Sequence, residues 1–267
     1  MAELHVQQDQ PPGVPPLQLT GERTLPDVPA ENYWYRRHLA VYEWIGARVI
    51  GKRVIDLASG EGYGSEVLAR GAAWVLGVEA NPEAFEHARL RYRRQNLRFE
   101  RGLVETHGEP DSCDVVVFLQ TIEHVHDPVA VLEHVARLLR PGGVVYVSTP
   151  NVETLAPPGA TKSSNPWHLR EYRAHEFDAL CRTVFSRVTL LGLFHARRLR
   201  AHELALRCGW DEVHRRLRLT RSFYDRFTSS ITARDFALRP SALDRALDFL
   251  AVCEEPRRPP AAPAPRR

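Results

Sequence analysis

The sequence predicts an α/β fold built on a doubly wound, mostly parallel sheet. Three observations carry that expectation. From residue 53 to residue 150, strand-sized apolar runs alternate with amphipathic helical segments. Asn81-Pro82 and Asp127-Pro128 each mark a helix start, a capping side chain followed by proline at the first helical position. The run Cys113–Leu119 (CDVVVFL) is apolar almost throughout, the pattern of a strand covered on both faces.

Taken in order, both ends are poor in structure signals. Residues 1–30 hold six of the 20 prolines and residues 256–267 hold five. We therefore expect a flexible N-terminal arm over 1–30, with Pro26 to Glu31 as an entry segment, and a disordered Pro/Arg-rich tail over 254–267. A first helix is predicted over Tyr33–Ile50, with Trp34, Leu39, Tyr42 and Ile45 on one side. Arg53–Ala58 reads as a short buried strand, Ser65–Arg70 as a helix, Ala73–Glu79 as the second strand and Leu97–Glu100 as the third. Cys113–Leu119 is the fourth. The helix after Asp127 carries Val131, Leu132, Val135, Leu138 and Leu139 on one face and stops at Pro141-Gly142-Gly143, before a fifth strand, Val144–Ser148. Beyond Asn151, Glu171–Leu180 reads as a helix and Arg187–Phe194 as a strand. Residues 200–253 read as mostly helical, including Ala242–Cys253 with Leu243, Ala246, Leu247 and Leu250 on one face. The expected organisation is a ligand-binding domain over 31–200 with a helical extension over 201–253 packed on it.

Composition bounds the function. With 43% apolar and 26% charged residues, the chain can bury a sizeable core, which excludes disorder as its overall state. Apolar runs are strand-sized, so no membrane-spanning helix is expected, and residues 1–20 lack the apolar stretch of a secretory signal. Cys113, Cys181, Cys208 and Cys253 are scattered without zinc or disulfide spacing, which suits a reduced, cytoplasmic setting. The net charge of +3 is mild and no block of like charge marks a nucleic-acid face. Only Lys52 and Lys162 are lysines among the 36 basic residues, a skew that fits anion recognition and GC-rich codon usage equally.

The sharpest local signal is DLASGEGYG, Asp56 to Gly64. A buried strand leads into a turn with glycines at 60, 62 and 64, which lets the backbone approach a ligand and adopt positive φ. Ligands of open α/β sheets bind at the carboxyl ends of the strands, near the reversal of strand order. The second strand ends in Glu79, an acid able to accept hydrogen bonds from both hydroxyls of a ribose. A dinucleotide is the poorer fit: the third glycine of GxGxxG would fall on Ser65, and Glu61 is an unhelpful neighbour for a pyrophosphate. Asp56, Glu61 and Glu79 suit a cationic ligand bearing a ribose.

DxxxGxG after a first strand, with an acid closing the second, resembles class I S-adenosylmethionine-dependent methyltransferases of the small-molecule, methyltransferase-11-like group. The likeness covers residues 53–150 closely and extends to TGERTLPDVPAENYW before them and SNPWHLREY after them. It implies a seven-stranded Rossmann-like sheet with added N-terminal and C-terminal helices, and S-adenosyl-L-methionine as cofactor. The resemblance also implies site residues: Asp56 ordering the turn and the methionine amino group, and the backbone of Ala58, Gly60 and Gly62 along the methionine portion. Glu79 would bind the ribose, with Ala80 beside the adenine, Leu103 or Val104 beneath it, and Gln120 a further cofactor contact. One departure stands out: where many relatives carry an acid for the adenine amine, GLVE offers only Glu105.

Gln120 to Val125 (QTIEHV) follows the fourth strand directly, where the transferable methyl should sit. His124 is the first candidate for a general base, since histidine titrates in the right range; the bland alternative is a residue that holds the cofactor carboxylate or caps the next helix. Glu123-His124 also resembles part of a metal site of some O-methyltransferases, but those supply an acid where this chain has Gln120, so no metal is expected. The Asn/Asp-Pro-Pro-aromatic motif of enzymes acting on base amines is absent. Asn165 to Tyr172 (NPWHLREY) reads as a lid with His168 as a second candidate base, or equally as loop packing around Trp167. Tyr33, Tyr35 and Arg37 are weaker candidates for closing the site. The expected function is methyl transfer to an oxygen (or nitrogen) of a small molecule such as a sugar or natural-product intermediate, by a monomer or homodimer that touches neither membrane nor nucleic acid. The alternatives are a non-catalytic cofactor-binding partner or sensor of the same fold and a nicotinamide-dependent oxidoreductase.

Overall fold

A computed structural model describes residues 4–8, 10–19, 23–157, 160, 162–217 and 220–257. In chain order, a small hairpin pairs β1 (Leu4–His5) with β2 (Leu17–Gln18), and α1 (Asn32–Gly46) follows. The alternating core comprises β3 (Arg53–Leu57), α2 (Tyr63–Ala69), β4 (Trp74–Glu79), α3 (Pro82–Arg91), β5 (Leu97–Arg101), β6 (Cys113–Leu119), α4 (Pro128–Leu138) and β7 (Leu139–Pro150). The second half holds a single-turn α5 (Val152–Leu155), α6 (Ala174–Val184), β8 (Phe185–His195), three helices α7 (Arg197–Arg207), α8 (Trp210–Leu217) and α9 (Thr220–Ser230), then β9 (Phe236–Arg239) and β10 (Asp248–Pro256).

One eight-stranded sheet runs in the order β5-β4-β3-β6-β7-β10-β8-β9. Strands β3 to β7 pair in parallel, β10 lies antiparallel between β7 and β8, and β9 pairs antiparallel with β8. The order reverses between β3 and β6, so the ligand crevice of such a sheet falls at the carboxyl ends of those two strands. One face is covered by α4 and α6, through Leu132, Val135, Phe177 and Leu180, and the other by α1 and α2, through Leu39, Ile45, Val67 and Leu68. The two predicted caps form: Asn81 accepts from the amides of Glu83 and Ala84 at 3.1 and 3.0 Å, and Asp127 from that of Ala130 at 3.0 Å. Among the described residues, no helix is long and apolar enough to cross a membrane.

The structure corrects four expectations. The sheet has eight strands rather than seven, the extra one being the four-residue edge strand β9. The helix expected over Ala242–Cys253 is only a 3-10 turn at Leu243–Arg245, and the chain then enters β10. Phe249, Leu250, Ala251 and Cys253 are all buried there, and the strand is laddered on both sides. A run buried on every side has no polar face to reveal its period, so its spacing suits helix and strand alike. The arm expected to be flexible over 1–30 packs where it is described: Leu17, Leu25 and Val28 cluster out of solvent, and His87 Nδ1 donates to the carbonyl of Pro15 at 2.7 Å. Its prolines forbid helix but not packing. Finally, Glu254–Pro256 of the expected tail continue β10; residues 258–267 lie outside the described residues.

A buried ion pair joins the two ends of the chain. Arg37, on α1, donates from Nε to Asp248 Oδ2 at 2.6 Å and from Nη2 to Oδ1 at 2.5 Å, and Nη2 also reaches the carbonyl of Leu247 at 2.8 Å. The partners are 4% and 2% exposed. Removing one member strands a buried charge, which costs about 3–5 kcal/mol. Asp248→Ala should lose about that much in urea unfolding; a loss below about 1 kcal/mol would show that the pair does not hold α1 to the sheet.

Candidate active site

The glycine turn at the end of β3 is organised from below by Asp56. This carboxyl is wholly buried, accepts from Ser65 Oγ at 2.6 Å and from the Tyr42 hydroxyl at 3.2 Å, and is pushed up to about 7 by burial, against the pull of those two bonds. Tyr42 reaches it across Gly64, where a Cβ would strike the tyrosine ring. Gly62 has φ +98°, and a Cβ there would come within 2.9 Å of Ala88 and Phe99. Ala58 (φ 56°) and Gln120 (φ 51°) are non-glycine residues in the left-handed region, one just past each of the two strands that flank the reversal. Strain of this kind concentrates at functional sites.

Glu79 closes β4 and braces the turn. Its Oε2 accepts from the Gly60 amide at 2.8 Å and its Oε1 from the Asn81 amide at 2.9 Å. A carboxylate has about four acceptor positions, so two remain for a ligand. Glu61 turns instead to the Tyr92 hydroxyl, 2.9 Å from Oε2, and burial pushes it up to about 7.

Above the turn lies a cavity of about 620 Å³ bordered by Ala58, Gly60, Glu79, Ala80, Gln120 and His124. Asp56 and Gly62 stand behind its wall. Leu103 and Val104 do not border it: Leu103 is 58% exposed and Val104 packs into the core. The cavity meets a second one of about 440 Å³, and the two share Arg23, Thr24, His38, Gln120 and His124. Trp34, Arg37, Glu123, Asn165, His168 and Asp248 line only the second. Burial brings His38 down to about 4, so it is neutral near pH 7. Tyr33 and Tyr35 face elsewhere, the first bonded to His195 Nε2 at 2.7 Å and the second against Tyr63. Sequence reasoning missed Arg23, Thr24, Trp34 and His38 as wall residues; the first three lie in the TGERTLPDVPAENYW segment that carries the family likeness, but no role was assigned to them there.

The two candidate histidines meet, their rings 5.0 Å apart. His124 lies in a 3-10 turn, Ile122–His124, after β6, and its Nδ1 donates to the carbonyl of Trp167 at 2.9 Å. A carbonyl only accepts, so in the neutral ring the lone pair is on Nε2, 4.0 Å from Glu123 Oε1. His168 Nδ1 donates to Glu171 at 2.7 Å while its Nε2 accepts from the Asn165 amide at 3.0 Å. Burial opposes the charge on Glu171, yet hydrogen bonds from Ser163 and His168 hold its carboxyl below the ordinary range. Glu123 is 1% exposed and pushed up to about 8 by burial, so near pH 7 it keeps its proton. Its Oε2 has no partner among the described residues. Donor atoms of Glu123, His124 and His168 lie within 4.8 Å of one another, a set able to hold a metal ion. Within this set the His168 Nε2 lone pair also takes the side-chain amide of Asn165.

Residues 33–204 match the model of a methyltransferase domain family. A probable S-adenosylmethionine-dependent methyltransferase of Mycolicibacterium smegmatis is 37% identical over 250 residues, 90% of this chain and 96% of its own length. One of Mycobacterium tuberculosis is 40% identical over 202 residues, 73% of each chain. Among solved structures, an S-adenosylmethionine-dependent methyltransferase of Thermotoga maritima described as a possible histamine N-methyltransferase superposes with a TM-score of 0.58 at 16% identity, over 85% of this chain and 94% of that one. That likeness speaks for the fold alone. The sequence relatives and the family model carry more: the chain belongs to the S-adenosylmethionine-dependent methyltransferases.

Proposed function

We propose that the chain transfers the cofactor's methyl group to an oxygen (or nitrogen) of a small polar acceptor, such as a sugar or natural-product intermediate, with His124 as the base. The observation that carries this reading is the junction of two cavities at Gln120 and His124. The larger suits the cofactor; the smaller falls in the size range of small-molecule sites. Glu79 would hold the ribose, Ala80 would sit beside the adenine, and the backbone of Ala58, Gly60 and Gly62, each at positive φ, would follow the methionine portion over Asp56.

The reaction is a displacement: the acceptor oxygen attacks the methyl carbon, the carbon–sulfur bond breaks, and its electrons neutralise the sulfonium to the thioether of S-adenosylhomocysteine. The acceptor proton goes to His124 Nε2, whose tautomer is fixed by the Trp167 carbonyl. Holding the nucleophile in line supplies much of the acceleration. Protonated Glu123 can donate a hydrogen bond to a neutral acceptor without placing a further charge in the cavity. His168, satisfied on both nitrogens, shapes the lid loop through Glu171 and Asn165. Lining residues that are mostly polar, with Trp34 the one large aromatic among them, suit a hydroxyl-rich acceptor with an apolar ring face. Ubiquinone biosynthesis O-methyltransferases match 39% of residues, but over less than half of this chain, and so add only a general precedent for oxygen acceptors.

Three measurements follow. With an acceptor found by screening for S-adenosylhomocysteine release, His124→Ala should lower kcat by about 10²–10⁴, His168→Ala should cost less and mainly in KM, and chelation should leave the rate unchanged. A wild-type rate in His124→Ala removes it as the base, and no release with any acceptor favours a non-catalytic binder. Glu79→Ala should weaken S-adenosylhomocysteine by about 1–3 kcal/mol in calorimetry, since charged hydrogen bonds are lost; unchanged affinity removes Glu79 from the site.

The third measurement concerns pH. Glu123 is protonated up to about 8 in the folded chain, whereas an unfolded glutamate titrates near 4.3. Between those values only the folded state holds the proton. The stabilisation is complete below about pH 4 and is lost as pH rises to about 8. Between pH 6 and 7.5, Glu123→Gln should flatten the fall of unfolding free energy by on the order of 1 kcal/mol per pH unit. An unaltered slope shows that Glu123 is ionised.

A further inference from the structure

Arg23 and Thr24 belong to the walls of both cavities, the only pair of adjacent residues among the described residues that does. They open a strap that runs into α1. Thr24 Oγ1 lies 3.3 Å from the Tyr63 hydroxyl at the start of α2, directly after the glycine turn. Leu25 is fully buried and its amide donates to Glu31 Oε2 at 2.9 Å. The chain then turns through a 3-10 turn, Pro29–Glu31, into the helix that supplies Trp34, Arg37 and His38 to the second cavity. The strap is thus pinned just after Arg23, with Arg23 facing the space above the turn.

The ionisable groups of the first cavity are unbalanced in a way that matches one end of the cofactor. Its wall carries Glu61 and Glu79, with Asp56 behind, and three histidines, of which His38 is held neutral. Arg23 is the one arginine or lysine among the described lining residues, and among the described residues it forms no ion pair. The amino-acid end of S-adenosylmethionine brings an ammonium, which the acids suit, and a carboxylate, which they repel. A guanidinium is the group that pairs with a carboxylate through two parallel hydrogen bonds.

We infer that Arg23 grips the carboxylate of the cofactor's amino-acid end, and that this contact seats the strap that completes the wall of the acceptor cavity. Arg23 is a cofactor-positioning residue, and binding is ordered: cofactor first, acceptor second. The inference rests on the first cavity being the cofactor site.

Two thioethers separate the carboxylate from the rest of the cofactor: S-adenosylhomocysteine, which has it, and 5′-methylthioadenosine, which keeps the nucleoside and sulfur but lacks it. Calorimetry with the full chain should show Arg23→Ala weakening S-adenosylhomocysteine at least tenfold and 5′-methylthioadenosine less than twofold, with Arg23→Lys between. The unliganded melting temperature of each variant reports whether the fold is intact. In the wild type, hydrogen exchange at the amides of residues 24–28 should slow with S-adenosylhomocysteine and not with 5′-methylthioadenosine. Equal losses for both ligands, or none for either, overturn the assignment; so does strap protection by the ligand without the carboxylate. If the wild type binds neither ligand, the cofactor placement itself fails, and the clamp fails with it.

Discussion

The ion pair between Arg37 and Asp248 is the constraint on which the site's geometry depends. It fastens α1, near the start of the chain, to the strand inserted last into the sheet, 211 residues away. Everything α1 contributes follows from that fixing: Trp34 and His38 on the second cavity, and Tyr42 one turn further along, reaching Asp56 beneath the glycine turn. Asp56 in turn holds Ser65 on α2. A polar thread therefore passes from β10 through α1 and β3 to α2, and every member is buried. Buried pairs contribute less to net stability than their contacts suggest, because desolvation offsets the attraction. Here the pair sets position: one arrangement of α1 satisfies both its arginine and its tyrosine.

The same burial sets the chemistry. Asp56, Glu61 and Glu123 are all pushed up by desolvation, into a range where a neighbouring charge decides whether they are ionised. Around a cationic cofactor this has a consequence. In the proposed placement, a sulfonium and an ammonium entering the first cavity would favour the ionised form of the acids nearest them, while Glu123, in the second cavity, would stay a proton donor. Charge would thereby be concentrated on the proposed cofactor side and kept low on the proposed acceptor side, where a neutral nucleophile would approach. Both histidines give their Nδ1 proton to an oxygen, and His168 Nε2 accepts from the Asn165 side-chain amide.

Much of this was legible in the sequence, and the rest was not for identifiable reasons. Strands β3, β4 and β6, the two proline-marked helix starts and the glycine turn all rest on local signals, and the structure has them where the residues place them, whereas β7 begins at Leu139, five residues before the expected Val144, and runs through the Pro141-Gly142-Gly143 stretch expected to stop the helix. Strand β10 was read as helix because its apolar run is enclosed on all sides, and only its partners β7 and β8 decide its conformation. The prolines of the arm exclude helix, but the burial of Leu17 and Leu25 depends on tertiary contacts that composition does not encode. QTIEHV and NPWHLREY each carry functional residue types alone, yet their meeting, which puts His168 against His124, comes from the path of the loop before α6. Leu103 and Val104 were carried over from the family pattern, and at that place the chain leaves the cavity wall. Arg23 lies in the TGERTLPDVPAENYW segment that carries the family likeness, but without periodicity, and its place on the walls of two cavities comes from the tertiary structure.

The central claim is that the cofactor occupies the larger cavity with its sulfur directed at the junction with the smaller one. A crystal structure of the chain with S-adenosylhomocysteine tests it directly. The account predicts ribose hydroxyls on Glu79 and the sulfur facing Gln120 and His124, with open space beyond it toward Trp34 and His168. A nucleoside seated elsewhere, or a sulfur turned away from that junction, would contradict it.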